Sequence, residues 1–181
     1  MGVRPATDAD RELVRGWRNH PQVRQASLTT HEIGPAEHAR WWSAALSRPD
    51  RRIVIYLHDG VPAGVVIFDL DGQDGATWSF YVDVAGLGGD GGGSAALLAA
   101  WVALERDAVA YAFDELRLRR LGGEVLGWNA AVIALHRRFG FRETGREQRM
   151  VDGVAQDVVW LELRAEDRER GVARGGRVTA G

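Results

Sequence analysis

The chain changes its hydrophobic period abruptly at one glycine-rich stretch, and few folds accommodate that change. Before it, Ile53–Leu57, Gly64–Leu70 and Thr77–Val84 are β-branched and aromatic runs separated by turn signals. Asp59-Gly60 predicts a hairpin between the first two runs, and Asp71–Gly75 a turn before the third, so the three strands form an antiparallel meander. Residues 85–93 read AGLGGDGGG, and from Ser94 to about Phe113 the chain becomes a long alanine- and leucine-rich helix. A meander feeding a helix through glycine excludes both an all-helical bundle and an all-β sandwich.

The flanking segments complete the order. Val3–Arg4 reads as a short strand, followed by a helix with Thr7 or Asp8 as N-cap and Leu13, Val14 and Trp17 on one face. His20-Pro21 ends that helix, because a residue before proline is pushed out of the helical region. Residues 21–34 read as a loop or short helix, and Pro35–Leu46 as a second helix with Trp41, Trp42 and Ala45 as apolar positions. Beyond the long helix come a strand at Leu116–Leu126, a helix at Ala130–Phe139 closed by Gly140, and a hairpin over 141–163 turning at Asp152-Gly153. The order ααβββαβαββ predicts an α+β fold with a mixed sheet. One domain over 1–164 is expected, with a C-terminal tail over 165–181 of Arg, Gly and acidic residues that lacks periodicity and reads as disordered.

Composition narrows the chemistry. The 181 residues include no cysteine, which excludes disulfides, thiolate nucleophiles and cysteine-ligated zinc or iron–sulfur centres. All 23 basic residues are arginine; without lysine there is no Schiff-base catalysis, no covalently held pyridoxal phosphate and no P-loop lysine. A formal net charge of −2 argues against nucleic acid or an anionic membrane as the main partner. The N-terminal MGVRPATDAD has no apolar core of a signal peptide, and no apolar run approaches the ~18 residues of a membrane span, so a cytoplasmic protein is expected.

Two segments could carry chemistry. Six glycines between 86 and 93, at the entrance to a helix, would let main-chain N–H groups and the helix dipole approach an anion. Taken alone, the same stretch reads equally well as a flexible linker. The second is N129-A-A-V-I-A-L-H136-R-R-F-G140-F141, in which Asn129 suits an N-cap and His136 adjoins the apolar face set by Val132, Leu135 and Phe139. A lone helical histidine is structural more often than catalytic, and Glu124 alone reads as a surface ion-pair partner.

Together these motifs resemble the GNAT superfamily of acetyl-CoA-dependent N-acetyltransferases over residues ~3–163: the meander, the glycine loop opening a long helix, then strand–Asn129…His136…Gly140-Phe141. Trp17-Arg18-Asn19, Val23-Arg24, His31-Glu32-Ile33, His38 and Trp41, with Glu124-Val125-Leu126, are further similar to the branch acting on UDP-linked 4-amino sugars in pseudaminic acid biosynthesis; ribosomal-protein N-terminal acetyltransferases share much of that pattern.

The resemblance implies a sheet splayed between its fourth and fifth strands, with acetyl-CoA as cosubstrate and no metal. The cofactor's pyrophosphate would sit on the amides of Gly89, Gly91, Gly92, Gly93 and Ser94. Its pantetheine arm would pair with main chain around Tyr81, Val82 and Val84, and Asn129 would reach the arm or the helix start. Of the catalytic residues, His136 would be the acid toward the departing thiolate and Glu124 the acceptor of the ammonium proton, with Tyr81 and Ser79 lining the site. Arg18, Asn19, His31, Glu32, His38 and Trp41 would roof the acceptor pocket, whereas Trp17 and Trp42 read as core. The expected acceptor is the amine of an amino sugar, nucleotide-linked; a protein N-terminal amine and a CoA-binding module without turnover are the alternatives. The partner set is a small-molecule amine, with no nucleic acid or membrane, and a homodimer is left open.

Overall fold

The computed structural model describes residues 2–72, 74–88 and 93–168. Strands β1 (Val3–Pro5), β2 (Arg51–His58), β3 (Val61–Leu70), β4 (Gly75–Val82), β5 (Arg120–Leu126), β6 (Arg142–Val151) and β7 (Val154–Arg164) form one sheet in the order β1-β2-β3-β4-β5-β7-β6. Every neighbouring pair is antiparallel except β4 and β5, which are parallel. Helices α1 (Arg11–Asn19), α2 (Pro21–Gln25) and α3 (Pro35–Ser47) precede the meander; α4 (Val84–Gly88), α5 (Gly93–Ala110) and α6 (Ala130–Arg138) follow it.

The turns follow from the residues that occupy them. Asp59 and Gly60 have φ of 51° and 82°, and Asp152 and Gly153 have 50° and 76°. Both central positions are left-handed, the requirement of a two-residue hairpin whose twist matches its strands. Side chains alternate between the sheet's two faces. Val54, Val66, Phe68, Trp78 and Leu121 pack with Leu104 and Ala108 of α5 and Val132 of α6. Ile53, Ile55, Val65 and Ile67 pack on the other face with Val14 and Trp17 of α1 and Trp42 and Ala45 of α3. The sheet is therefore sandwiched between two helical layers, and Trp17 and Trp42 are core residues.

Several boundaries differ from the sequence expectation. The third meander strand ends at Val82 rather than Val84, and Val84 opens α4, so the first part of the glycine stretch is helical. Its centre, 89–92, lies outside the described residues. The fifth strand begins at Arg120 rather than Leu116, because α5 runs on as a π turn through Tyr111–Glu115 and Arg117 then takes a φ of 58°. Residues 165–168, expected to lack structure, form a helical turn in which Arg168 grips Asp114 at 2.5 and 2.7 Å.

At the N-terminus, Asp10 accepts from the Thr7 N–H at 2.8 Å and from the Arg4 guanidinium at 2.9 and 2.7 Å. The Arg4 hydrogen bonds hold its carboxyl down at about 2, although burial works in the opposite direction. A carboxyl depressed in the folded state stabilises above its unfolded value, near 3.9, and loses that stabilisation as pH falls toward 2. Asp10→Asn is therefore expected to cost about 2 kcal/mol at pH 7 in urea unfolding, with the gap to wild type closing between about pH 4 and 2. A gap independent of pH would refute the assignment.

Candidate active site

The parallel β4–β5 ladder is short. Gly75 pairs with Arg120, Ala76 with Leu121 and Thr77 with Gly122; beyond that point β4 stays paired to β3 and β5 to β7 while their facing edges part. The Asp83 N–H donates to the Ala63 carbonyl at 2.9 Å. Main-chain groups alternate between the two edges of a strand. Asp83, Tyr81 and Ser79 therefore turn their N–H and C=O toward β3, and Phe80 and Val82 turn theirs into the gap. The open edge is thus formed by Phe80 and Val82; of the residues expected along it, Tyr81 bonds its main chain to β3 and Val84 lies in α4 at the cleft wall.

The gap opens into a cleft of about 560 Å³ that passes through the sheet. On the α5–α6 side it is lined by Trp78, Phe80, Val82, Trp101, Val132 and His136. On the α1–α2 side it is lined by Thr77, Ser79, Tyr81, Glu124, Arg18, Gln22, Val23 and the segment from Gln25 to Thr29. Asn129 sits at the mouth, its side-chain oxygen accepting from the Val132 N–H at 3.4 Å as the N-cap of α6.

His136 is 3% exposed, its ring packed against Trp78, Phe80 and Phe141. Its Nδ1 lies 2.7 Å from Oε1 of Glu105, a fully buried residue of α5. Burial pushes the Glu105 carboxyl up, and the hydrogen bond from His136 opposes it. Across the sheet, Glu124 accepts from Arg149 of β6 at 2.9 and 2.7 Å, so its carboxylate is already engaged by a guanidinium. Burial raises the Tyr81 hydroxyl far above its ordinary range, making it a neutral donor and not a base. Burial, assisted by Arg24, weakens the charge preference of Arg18. An arginine remains protonated nonetheless. Its Nη2 donates to the Thr29 carbonyl at 2.6 Å, and its Nη1 is buried without a partner among the described residues.

The expected roof of the acceptor pocket divides. Arg18 reaches the cleft. Asn19, the next residue on α1, turns away and clamps the Ile33 main chain at 2.8 and 2.9 Å. His31 is exposed and paired with Glu37 at 3.0 Å, and Glu32 is exposed beside it. His38 is 2% exposed, stacked in the core beside Trp41 and Trp42, and Trp41 lies under the Arg51 guanidinium. None of these five lines the cleft. Of the expected phosphate-binding residues, Gly89, Gly91 and Gly92 lie outside the described residues, while Gly93 and Ser94 open α5. Sequence reasoning missed Glu105, Trp101 and Trp128. Glu105 had a signal: it sits four residues after Trp101 and three before Ala108 on a helix otherwise apolar along that stripe.

A helix-flanked sheet that parts at its one parallel junction, with main-chain donors facing the gap, is the architecture of the GNAT fold. A profile of the acetyltransferase (GNAT) domain family matches residues 1–142, and the chain belongs to that family, as an N-acetyltransferase. No curated protein matches the chain. Solved structures share the fold. Spermidine N-acetyltransferase from Vibrio cholerae, in complex with CoA and spermine, is 17% identical with a TM-score of 0.77, covering 92% of this chain and 96% of that one. Ribosomal-protein-alanine N-acetyltransferase from Brucella melitensis is 21% identical with a TM-score of 0.69, covering 91% and 99%. An N-acetyltransferase from Staphylococcus aureus is 23% identical with a TM-score of 0.61, covering 90% and 96%. No helix among the described residues is long and apolar enough to cross a membrane.

Proposed function

We propose that this protein transfers acetyl from acetyl-CoA to the primary amine of a small acceptor bearing negative charge, an amino sugar linked to a nucleotide. Acetyl-CoA, when bound, supplies an activated acyl group and a thiolate leaving group. The unpaired edge at Phe80 and Val82 suits its amide-bearing arm, because each exposed N–H and C=O there lacks a strand partner. The same N–H groups are the donors for charge developing on the acyl oxygen. Glu124, its two oxygens each still holding a free lone pair beside the Arg149 hydrogen bonds, takes the ammonium proton directly or through water, and Tyr81 and Ser79 hydrogen-bond acceptor hydroxyls.

Arg18 carries the choice of acceptor. Its guanidinium faces the cleft with a buried Nη1 that lacks a partner among the described residues, and the groups that act on it electrostatically are Tyr81 and Arg24, neither of them a carboxylate. A buried unsatisfied cation favours an acceptor that brings an anion to it and disfavours a polycation. Glu124, the acid that lines the cleft among the described residues, is already paired with Arg149, which also pairs with Glu147. A second reading, acetylation of a protein N-terminal amine, draws support from a neighbouring cavity of about 530 Å³ lined by Arg24, Thr30 and Gln156, which shares Gln25, Leu126 and Trp128 with the cleft. Such an extension suits either a nucleotide or a peptide.

Release of free thiol from acetyl-CoA, followed across an amine panel, tests the reading. UDP-linked amino sugars are expected to turn over with the highest kcat/KM, free amino sugars more slowly, and spermidine least. Arg18→Met is expected to lower kcat/KM for the UDP-linked acceptor by about 10–100-fold, the loss of one or two charge-assisted hydrogen bonds. Preference for spermidine, or indifference to Arg18→Met, would overturn the anionic acceptor; preference for an alanyl peptide would support the second reading.

A further inference from the structure

We propose that Glu105 is a positioning residue for His136, fixing the imidazole so that a protonated Nε2 faces the cleft between β4 and β5. The inference rests on the acetyl-transfer reading and on geometry within it. Glu105 is fully buried in the middle of α5, far from any surface role, and its Oε1 lies 2.7 Å from His136 Nδ1. Its other oxygen, Oε2, is buried without a partner among the described residues. A carboxyl kept in the core with one unsatisfied oxygen is costly, and a purely packing role would be served better by leucine or glutamine. With Nδ1 engaged, Nε2 is the nitrogen His136 has left for the cleft it lines.

Proton accounting fixes which form is present. Two protons shared by the pair leave it neutral overall, whereas one proton leaves a net negative charge. A buried aromatic shell disfavours the charged form. That shell is Trp78 and Phe80 from β4 and Phe141 from the turn after α6, none of which titrates in the working range. The neighbours in sequence, Arg106 and Arg137, are turned outward onto Asp107 and Glu143. His136 is the group that acts on the Glu105 carboxyl besides burial itself. The two-proton pair therefore holds a hydrogen on Nε2. In the transfer step the Nε2–H bond breaks and a sulfur–hydrogen bond forms on the departing thiolate. The pair is left as carboxylate and Nδ1–H imidazole, to be reprotonated by the proton the amine gives up on becoming an amide.

Glu105→Gln keeps the shape and removes the charge. Its kcat is expected to fall about 10–100-fold, with KM for acetyl-CoA within about twofold of wild type. The alkaline limb of its kcat–pH profile is expected to move at least about one pH unit lower, because the amide no longer supports a protonated imidazole. A merely structural Glu105 would leave that limb in place, and an unmoved limb overturns the inference. Should the variant fail to fold, ¹⁵N-imidazole NMR of the wild type decides. A protonated His136 Nε2 at pH 7 is expected, and an unprotonated one refutes the proposal. Absence of thiol release from the wild type with any amine would instead count against the acetyl-transfer reading, and leaves the NMR result to judge the pair.

Discussion

His136→Phe is expected to lower kcat for amine acetylation by about 10²–10³-fold while acetyl-CoA binds within a few-fold of wild type. Phenylalanine keeps the contacts with Trp78, Phe80 and Phe141 and so preserves this wall of the cleft. On the proposal made for the Glu105–His136 pair, what it removes is the Nε2 hydrogen that would reach the thiolate. The thiolate then departs without an acid, a loss that falls on the transition state and not on cofactor binding. Glu105, left without its partner, loses the hydrogen bond that opposes the upward push of burial on its carboxyl, and both of its oxygens are then buried unbonded. A lower melting temperature is therefore expected alongside the lost rate, and stopped assays at 25 °C with calorimetry for acetyl-CoA separate the two. An unchanged kcat would remove His136 from the mechanism.

The second large effect concerns the edge of β4. Val82→Pro is expected to weaken acetyl-CoA about 10–100-fold, by deleting an N–H that faces the gap and filling part of the gap with its ring. The β3–β4 ladder survives, because Val82 stands opposite Gly64 in a pair whose main-chain groups point away from each other. Tyr81→Pro one residue earlier does the reverse. It deletes a donor that faces β3, so it is expected to destabilise the fold more than it alters the cleft. Equal loss of cofactor affinity in both variants, tracking loss of stability, would argue that the edge has no binding role.

Much of this architecture was legible in the sequence because its signals are local. Asp59-Gly60 and Asp152-Gly153 specify their hairpins by the φ they permit, and His20-Pro21 ends α1 by sterics alone. The parted strands were expected from motif resemblance, and the ladder that stops at Thr77 and Gly122 bears this out. Which residues reach the gap was less legible. Arg18 and Asn19 are neighbours on α1, yet one turn angle of about 100° sends one to the cleft and the other to Ile33. His38 and Trp42 share the face of α3 that packs into the core, and spacing alone does not say which face that is. Glu105 was hidden because its partner is 31 positions away, a pairing made by the packing of α5 on α6. The strand was read two residues too long at Val84, since β-branched residues continue past the point where Asp83 closes the ladder.

Everything proposed for the cleft requires the main chain of Phe80 and Val82 to receive acetyl-CoA between β4 and β5. Titrating acetyl-CoA into ¹⁵N-labelled protein and following backbone amides measures this residue by residue. Large saturable shifts are expected at Phe80 and Val82, with Ser79 and Tyr81, whose amides are bonded to β3, moving far less. Saturable binding that leaves Phe80 and Val82 unmoved, or no binding at millimolar acetyl-CoA, would contradict it.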